Sequence, residues 1–274
     1  MPELPEVETT KTSLEPLLGE TIQHVLVRNP SLRWTVPDDI SQLIGQQLTA
    51  LERRSKYIIA HFGSQKMLWH LGMSGSFRIA TPDEQYRKHD HVIFDFAGQQ
   101  LRYHDPRRFG CILWLNPSTQ SKLLDRLGVE PLSAEFNADY LQQKLKSKKV
   151  AIKVALMDNH IVVGVGNIYA TESLFNLNIH PAQPANTISK KQITALVMEI
   201  KRILQQAIDL GGSTLRDYSN AMGENGYFQQ TLLAYGRAGE MCVNCETTLE
   251  NIKLGQRASV FCPQCQPLKT VKNK

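Results

Sequence analysis

Cys242-Val243-Asn244-Cys245, followed after sixteen intervening residues by Cys262-Pro263-Gln264-Cys265, places four thiols in two pairs of identical spacing. Each pair can sit on a tight knuckle that turns two sulfurs toward one point. Two knuckles complete a closed tetrahedral site with no position left for water. That is the donor set of one structural Zn2+ rather than of a catalytic metal. The alternatives, coincidental pairs or a dithiol redox motif, explain the matched spacing less well. Between the knuckles, Thr247–Phe261 has Gly255 near its middle and reads as a β-hairpin. A module this small buries little core, so metal binding must supply its folding energy. Arg257 sits on that hairpin, where it is either a phosphate-gripping group or an ordinary solvated arginine.

Upstream of the finger the pattern is helical. Over 189–210, Ile193, Leu196, Val197, Ile200, Ile203, Leu204, Ala207 and Ile208 form one apolar stripe, with Ser189 to cap the start and Gly211-Gly212 to end it. From about 22 to 115 the period drops to two, in runs such as Ile22–Arg28, Gln47–Arg53, Lys56–Phe62, Lys66–Leu71, His91–Phe96, Leu101–His104 and Cys111–Leu115. Short runs at this spacing, with no helices between them, predict an antiparallel sandwich or barrel rather than a parallel sheet. Residues 5–18 read as a helix opened by Pro5 and closed by Gly19, with Val7, Leu14, Leu17 and Leu18 on one face. The fold class is therefore α+β and multidomain. The expected divisions are a β domain over 1–130, a helical domain over 131–235, the zinc finger over 236–266 and a flexible basic tail over 267–274.

Composition agrees with a globular chain: 42% hydrophobic and 21% charged residues in 274. The 31 Lys and Arg against 26 Asp and Glu leave a net charge of +5, which permits an acidic partner. No apolar run reaches the ~18 residues that span a bilayer. The acidic, proline-rich start lacks the character of a signal peptide. A cytoplasmic protein without a membrane partner is expected, and Cys111, left over from the zinc set, reads as a small buried hydrophobe.

Further segments carry chemistry. Lys144, Lys146, Lys148, Lys149 and Lys153 fall within ten residues without an acid, either as a solvated face or as phosphate ligands ahead of the Gly164-Val165-Gly166 turn. That turn lacks the third glycine of a dinucleotide loop, since Tyr169 stands there. Asp105-Pro106-Arg107-Arg108-Phe109-Gly110 sets arginine beside an aromatic in a turn, and Met73 lies on the glycine-rich Gly72–Gly75 loop. Phe109 and Met73 are either core residues or wedges that enter a duplex. His89 and His91 lie two apart on one strand face, with nothing nearby to complete a metal site. Finally, Pro2 follows the initiator methionine. Removal of Met1 would leave a secondary amine that titrates near 7.7–8.0 and can attack an electrophilic carbon. Glu3 stands next to it as a general acid, although Pro-Glu is equally a simple helix entry.

Taken together, Met1–Glu8, His70–Gly75, Asp105–Gly110, Met157–Asn159, Val163–Ala170 and the four-cysteine finger resemble, in the same order, the formamidopyrimidine-DNA glycosylases, also called 8-oxoguanine DNA glycosylases. The resemblance runs to about Gln266. It implies an N-terminal β-sandwich with flanking helices, a helix-two-turns-helix domain and a zinc finger, with damaged double-stranded DNA in the cleft and a monomeric enzyme. It implies a bifunctional repair enzyme that excises oxidised purines such as 8-oxoguanine and formamidopyrimidines, then cleaves the abasic strand by β,δ-elimination. By matching motif, Pro2 is the Schiff-base nucleophile, Glu3 its acid/base partner, and Lys56 and Arg257 aid elimination at the phosphates. His89, Arg108, Lys149 and Asn167 match DNA contacts, and Met73, Arg108 and Phe109 match the side chains that fill the void of the flipped nucleotide. The loop 216–228 matches the segment that closes over the flipped base.

Three other readings compete. Endonuclease VIII shares the architecture but prefers oxidised pyrimidines, and its start typically reads Pro-Glu-Gly-Pro-Glu where this chain has Leu4. A non-catalytic zinc-ribbon DNA binder accounts for the finger and the lysines but not for Pro2-Glu3. An N-terminal-proline tautomerase would have no use for either finger or lysines.

Overall fold

The computed structural model describes residues 2–213, 221–222 and 226–269. The chain divides into two compact units: Met1–Arg126 with Ile208–Gln229, and Leu127–Ala207 with Gln230–Lys274.

Among the described residues, the first unit has eight strands: β1 (His24–Val27), β2 (Leu48–Arg54), β3 (Tyr57–Phe62), β4 (Gln65–His70), β5 (Ser76–Ala80), β6 (Asp90–Phe96), β7 (Gln99–His104) and β8 (Cys111–Trp114). They form two antiparallel four-stranded sheets, ordered β1-β6-β7-β5 and β2-β3-β4-β8. The inner faces bury Ile58, Ala60, Phe62, Met67 and Trp69 against Phe77, Val92, Phe94, Leu101 and Tyr103. Trp69 is the centre of an aromatic stack, 4.8 Å from Phe77 and 5.7 Å from Phe94. Period-two alternation made these strands legible. Only β5 escaped, because its five residues lie between Gly75 and Pro82 and show barely one full alternation.

Helix α1 (Leu4–Ser13) packs on β2 and β3. It stops earlier than the apolar spacing suggested, because Pro16 cannot donate into an α-helical ladder. A short 3-10 turn, Glu15–Leu17, follows instead. Leu14 and Leu17 remain in the core, whereas Leu18, expected on the same face, is 41% exposed. Helix α2 (Pro117–Leu123) is capped by the Asn116 side chain, which accepts from the Thr119 amide.

The second unit carries α3 (Ala138–Leu145), α4 (Ile152–Leu156), α5 (Asn167–Asn176) and the long α6 (Lys190–Asp209). The Gly164–Gly166 turn joins α4 to α5. The hairpin β9 (Glu250–Leu254) and β10 (Arg257–Phe261) belongs to the finger. Its core is Phe175, Ala234, Cys242, Leu249, Val260 and Cys262, so α5 is the platform for the finger. Buried Glu172, also on α5, accepts from the amides of Leu233, Ala234 and Tyr235, which fixes the approach to the finger.

Candidate active site and metal centre

In the first unit, Pro2 is buried and Glu3 is 3% exposed at the head of α1. A capping box closes that turn: Glu6 Oε2 accepts from the Glu3 amide at 2.8 Å. The other oxygen, Oε1, accepts from the amide and hydroxyl of Ser213 at 2.9 and 3.2 Å. The turn holding the candidate nucleophile is thus fixed by a buried carboxylate with donors on both sides.

Lys56 lies in the two-residue turn between β2 and β3, following Ser55 at φ 57°. His70 ends β4. Its Nδ1 accepts from the Gly72 amide at 3.0 Å, which leaves Nε2 to carry the proton. Burial first, then the Lys56 and Arg33 charges, pull its pKa from 6.5 down to about 4. His70 is therefore a neutral donor at cellular pH.

The Asp105–Gly110 loop is organised by one side chain. Buried Asp105 accepts from Ser74 Oγ at 2.8 Å, Tyr103 Oη at 3.2 Å and the Gly110 amide at 2.8 Å. His91 Nε2 reaches the Asp105 carbonyl at 2.8 Å. This ties the loop to the Gly72–Gly75 loop opposite. The two loops touch so closely at Gly72 (φ 64°) that a Cβ there would stand 2.4 Å from the Phe109 carbonyl carbon. Phe109 is thereby held 45% exposed, with the Arg107 guanidinium 4.8 Å above its ring. Core burial, one of its two sequence readings, is excluded. Met73, half-buried, joins Arg108 and Phe109 on a cleft of about 650 Å³ with Ser31, Arg33, His70 and Arg107. Arg108 holds φ 56°, a backbone conformation that costs energy.

His89 stands just before β6, its ring 5.9 Å from both His91 and His104. His104 Nδ1 lies 2.9 Å from Asp90 Oδ1, so the His91 and His104 rings have carbonyl and carboxylate partners rather than a metal geometry. Sequence reasoning passed over His70, Arg33 and Arg107 as individual side chains. The first and last lie inside motifs it quoted; Arg33 carried no local signal.

In the second unit, Lys149 is exposed ahead of α4, and Asn167 is the first residue of α5. Asn167 Oδ1 is buried without a hydrogen-bond partner among the described residues. Arg257 opens β10 on the exposed side of the hairpin. Buried Lys153 is not part of the exposed lysine run: its Nζ donates to the Ala258 carbonyl and Ser259 Oγ at 2.9 and 2.8 Å. Residues 216–220 and 223–225 of the candidate capping loop lie outside the described residues.

The four cysteine sulfurs lie within 4.8 Å of one another. A tetrahedron with Zn–S bonds of about 2.3 Å needs S···S separations near 3.8 Å. The observed Cys242–Cys265 and Cys245–Cys262 distances are 4.0 and 3.4 Å. Amides of Asn244 and Cys265 point at the sulfurs of Cys242 and Cys262, as knuckles that stabilise thiolates do. These residues fit one zinc ion, and it holds the finger together.

Known proteins match this arrangement throughout. Residues 1–112 match the formamidopyrimidine-DNA glycosylase N-terminal domain, 127–219 its H2TH domain, and 239–268 the zinc finger found in FPG and IleRS. The formamidopyrimidine-DNA glycosylase of Acinetobacter baylyi is 76% identical over 270 residues, covering 98% of this chain and 99% of that protein. That of Acinetobacter baumannii is 74% identical over 272 residues, covering 99% of both. Among solved structures, the complex between the Lactococcus lactis enzyme and an abasic site containing DNA superposes with a TM-score of 0.89 at 36% identity, over 97% of this chain and 99% of that one. The complex of the wild-type enzyme with an oxidised pyrimidine containing DNA gives 0.88 at 35% identity, over 97% and 100%. The chain belongs to the formamidopyrimidine-DNA glycosylase family.

Proposed function

We propose that this protein is a bifunctional base-excision-repair enzyme: a DNA glycosylase that removes oxidised purines from duplex DNA and an abasic-site lyase that then cuts the strand. The observation that carries the reading is the buried Pro2-Glu3 turn, fixed by Glu6, in a chain of this family. Once Met1 is removed, the neutral Pro2 amine attacks C1′ of the damaged nucleotide. The glycosidic bond breaks as Glu3 delivers a proton to the departing base, and opening of the sugar gives an iminium. The iminium acidifies the C2′ proton, whose loss expels the 3′ phosphate; a second elimination expels the 5′ phosphate. Lys56 and Arg257 hold those phosphates and favour their departure.

C1′ is unreachable in stacked duplex, so the nucleotide must be everted at a cost of a few kcal/mol. Exposed Phe109, with Met73 and Arg108 beside it, fills the void and offsets that cost. His89, Lys149 and Asn167 grip the backbone. The zinc takes no part in these steps; it supports the hairpin that presents Arg257. We place the enzyme in the cytoplasm as a monomer, where chromosomal DNA is the partner and a reducing medium keeps four thiolates available for zinc. Among the described residues no helix is long and apolar enough to cross a membrane. The test is excision from duplexes carrying 8-oxoguanine opposite cytosine or an oxidised pyrimidine. Faster release of the purine supports the assignment; faster release of the pyrimidine moves the protein toward the endonuclease VIII reading.

A further inference from the structure

The turn that carries Lys56 is held by a side chain with no role in the chemistry above. Arg53, on β2, donates from Nη1 to the Ser55 carbonyl at 3.0 Å and from Nε to Glu8 Oε2 at 2.6 Å. Glu8 lies on α1, one turn beyond Glu3–Glu6, and its other oxygen meets Lys11 Nζ at 2.6 Å. The guanidinium thus spans from the helix that bears Pro2 and Glu3 to the turn that bears Lys56.

Two features make this more than a surface ion pair. The Arg53 side chain is 10% exposed and that of Glu8 21%, so the pair is largely shielded from water. Burial disfavours the Glu8 carboxylate, but Lys11 and Arg53 outweigh it and keep the pKa below the ordinary value. The clamp is therefore ionised at working pH. Moreover, the clamped peptide needs holding. Ser55 adopts φ 57°, which a β-substituted residue enters only at an energetic cost, and Ser55 is 2% exposed. A fork that bonds the carbonyl of that same residue selects the strained turn over relaxed alternatives. An arginine can do this because its guanidinium presents two donors at once in a fixed plane, which a lysine cannot.

We propose that Arg53, braced by Glu8, is a positioning residue for Lys56: it fixes the lysine-bearing turn to the helix that starts at the nucleophile, and so sets where the ammonium stands relative to the Pro2 amine. The proposal rests on the reading of Lys56 as a phosphate-holding group in strand cleavage.

A double-mutant cycle tests it on zinc-loaded full-length protein, with single-turnover cleavage of an abasic-site duplex as the readout. Arg53→Met lowers the cleavage rate about tenfold when Lys56 is present, and less than about twofold in a Lys56→Gln background. Arg53→Lys does not restore the rate. If Arg53→Met fails to fold, Glu8→Gln, which keeps shape and weakens the brace, gives the same background-dependent pattern with a smaller loss. An equal fold-loss in both backgrounds overturns the proposal and leaves Arg53 a general stabiliser. A Lys56→Gln enzyme that cleaves at the native rate overturns the assignment of Lys56 itself, and the clamp falls with it.

Discussion

Glu6 and Ser213 stand 207 positions apart, yet one Glu6 oxygen takes both the amide and the hydroxyl of Ser213 while the other holds the Glu3 amide. One buried carboxylate thus joins the start of the chain to the segment that follows α6.

Glu6→Ala should remove all three hydrogen bonds and strand buried donors. Loss of a buried, hydrogen-bonded charge costs about 3 kcal/mol. Chemical denaturation followed by tryptophan fluorescence is the check, with base excision falling in parallel. A change below about 0.5 kcal/mol would show that the turn is held by something else.

Zinc removal should act locally. Cys262→Ser is expected to lose stoichiometric zinc and to weaken binding of damaged duplex at least about tenfold, because the finger folds only on its metal. The sandwich keeps its own core and its near-ultraviolet signal from Trp69. Full zinc content in the variant, measured by metal analysis, would contradict the ligand set. Affinity in the native protein should fall steeply with salt, since phosphates dominate the contacts.

His70 sets an acid limit on stability. Its folded pKa of about 4 lies below the 6.5 of an open chain, so the unfolded state takes up this proton first. The contribution is complete above pH 6.5 and declines as pH falls toward 4, by a total on the order of 3 kcal/mol. His70→Asn should flatten that part of the Tm–pH curve. An unchanged slope between pH 6.5 and 4 would assign the acid sensitivity to other groups.

What could be read from sequence was what is encoded locally. The finger ligands lie within one short segment at a spacing the metal dictates, and the strands of the sandwich announce themselves by alternation. The same is true of the α6 stripe. What escaped reading depends on distant pairing. Nothing near Ser213 indicates that it serves Glu6, nor does anything near Glu8 point to Arg53. Asp105 shows the limit most clearly: the sequence displayed the arginines and Phe109 of its loop, but the acid that shapes the loop acts through Ser74, Tyr103 and Gly110. Lys153 belonged by sequence to the basic run, and burial against β10 removes it from that run.

The most direct test of the central claim is borohydride trapping on a duplex carrying 8-oxoguanine opposite cytosine, using protein verified to lack Met1. Borohydride reduces the transient iminium to a stable adduct that peptide mass mapping can place. The account predicts one adduct, on the amine of Pro2, and its loss in a Pro2→Gly enzyme that still binds the duplex. Tight binding with no adduct, or an adduct on a lysine with Pro2 unmodified, would contradict it.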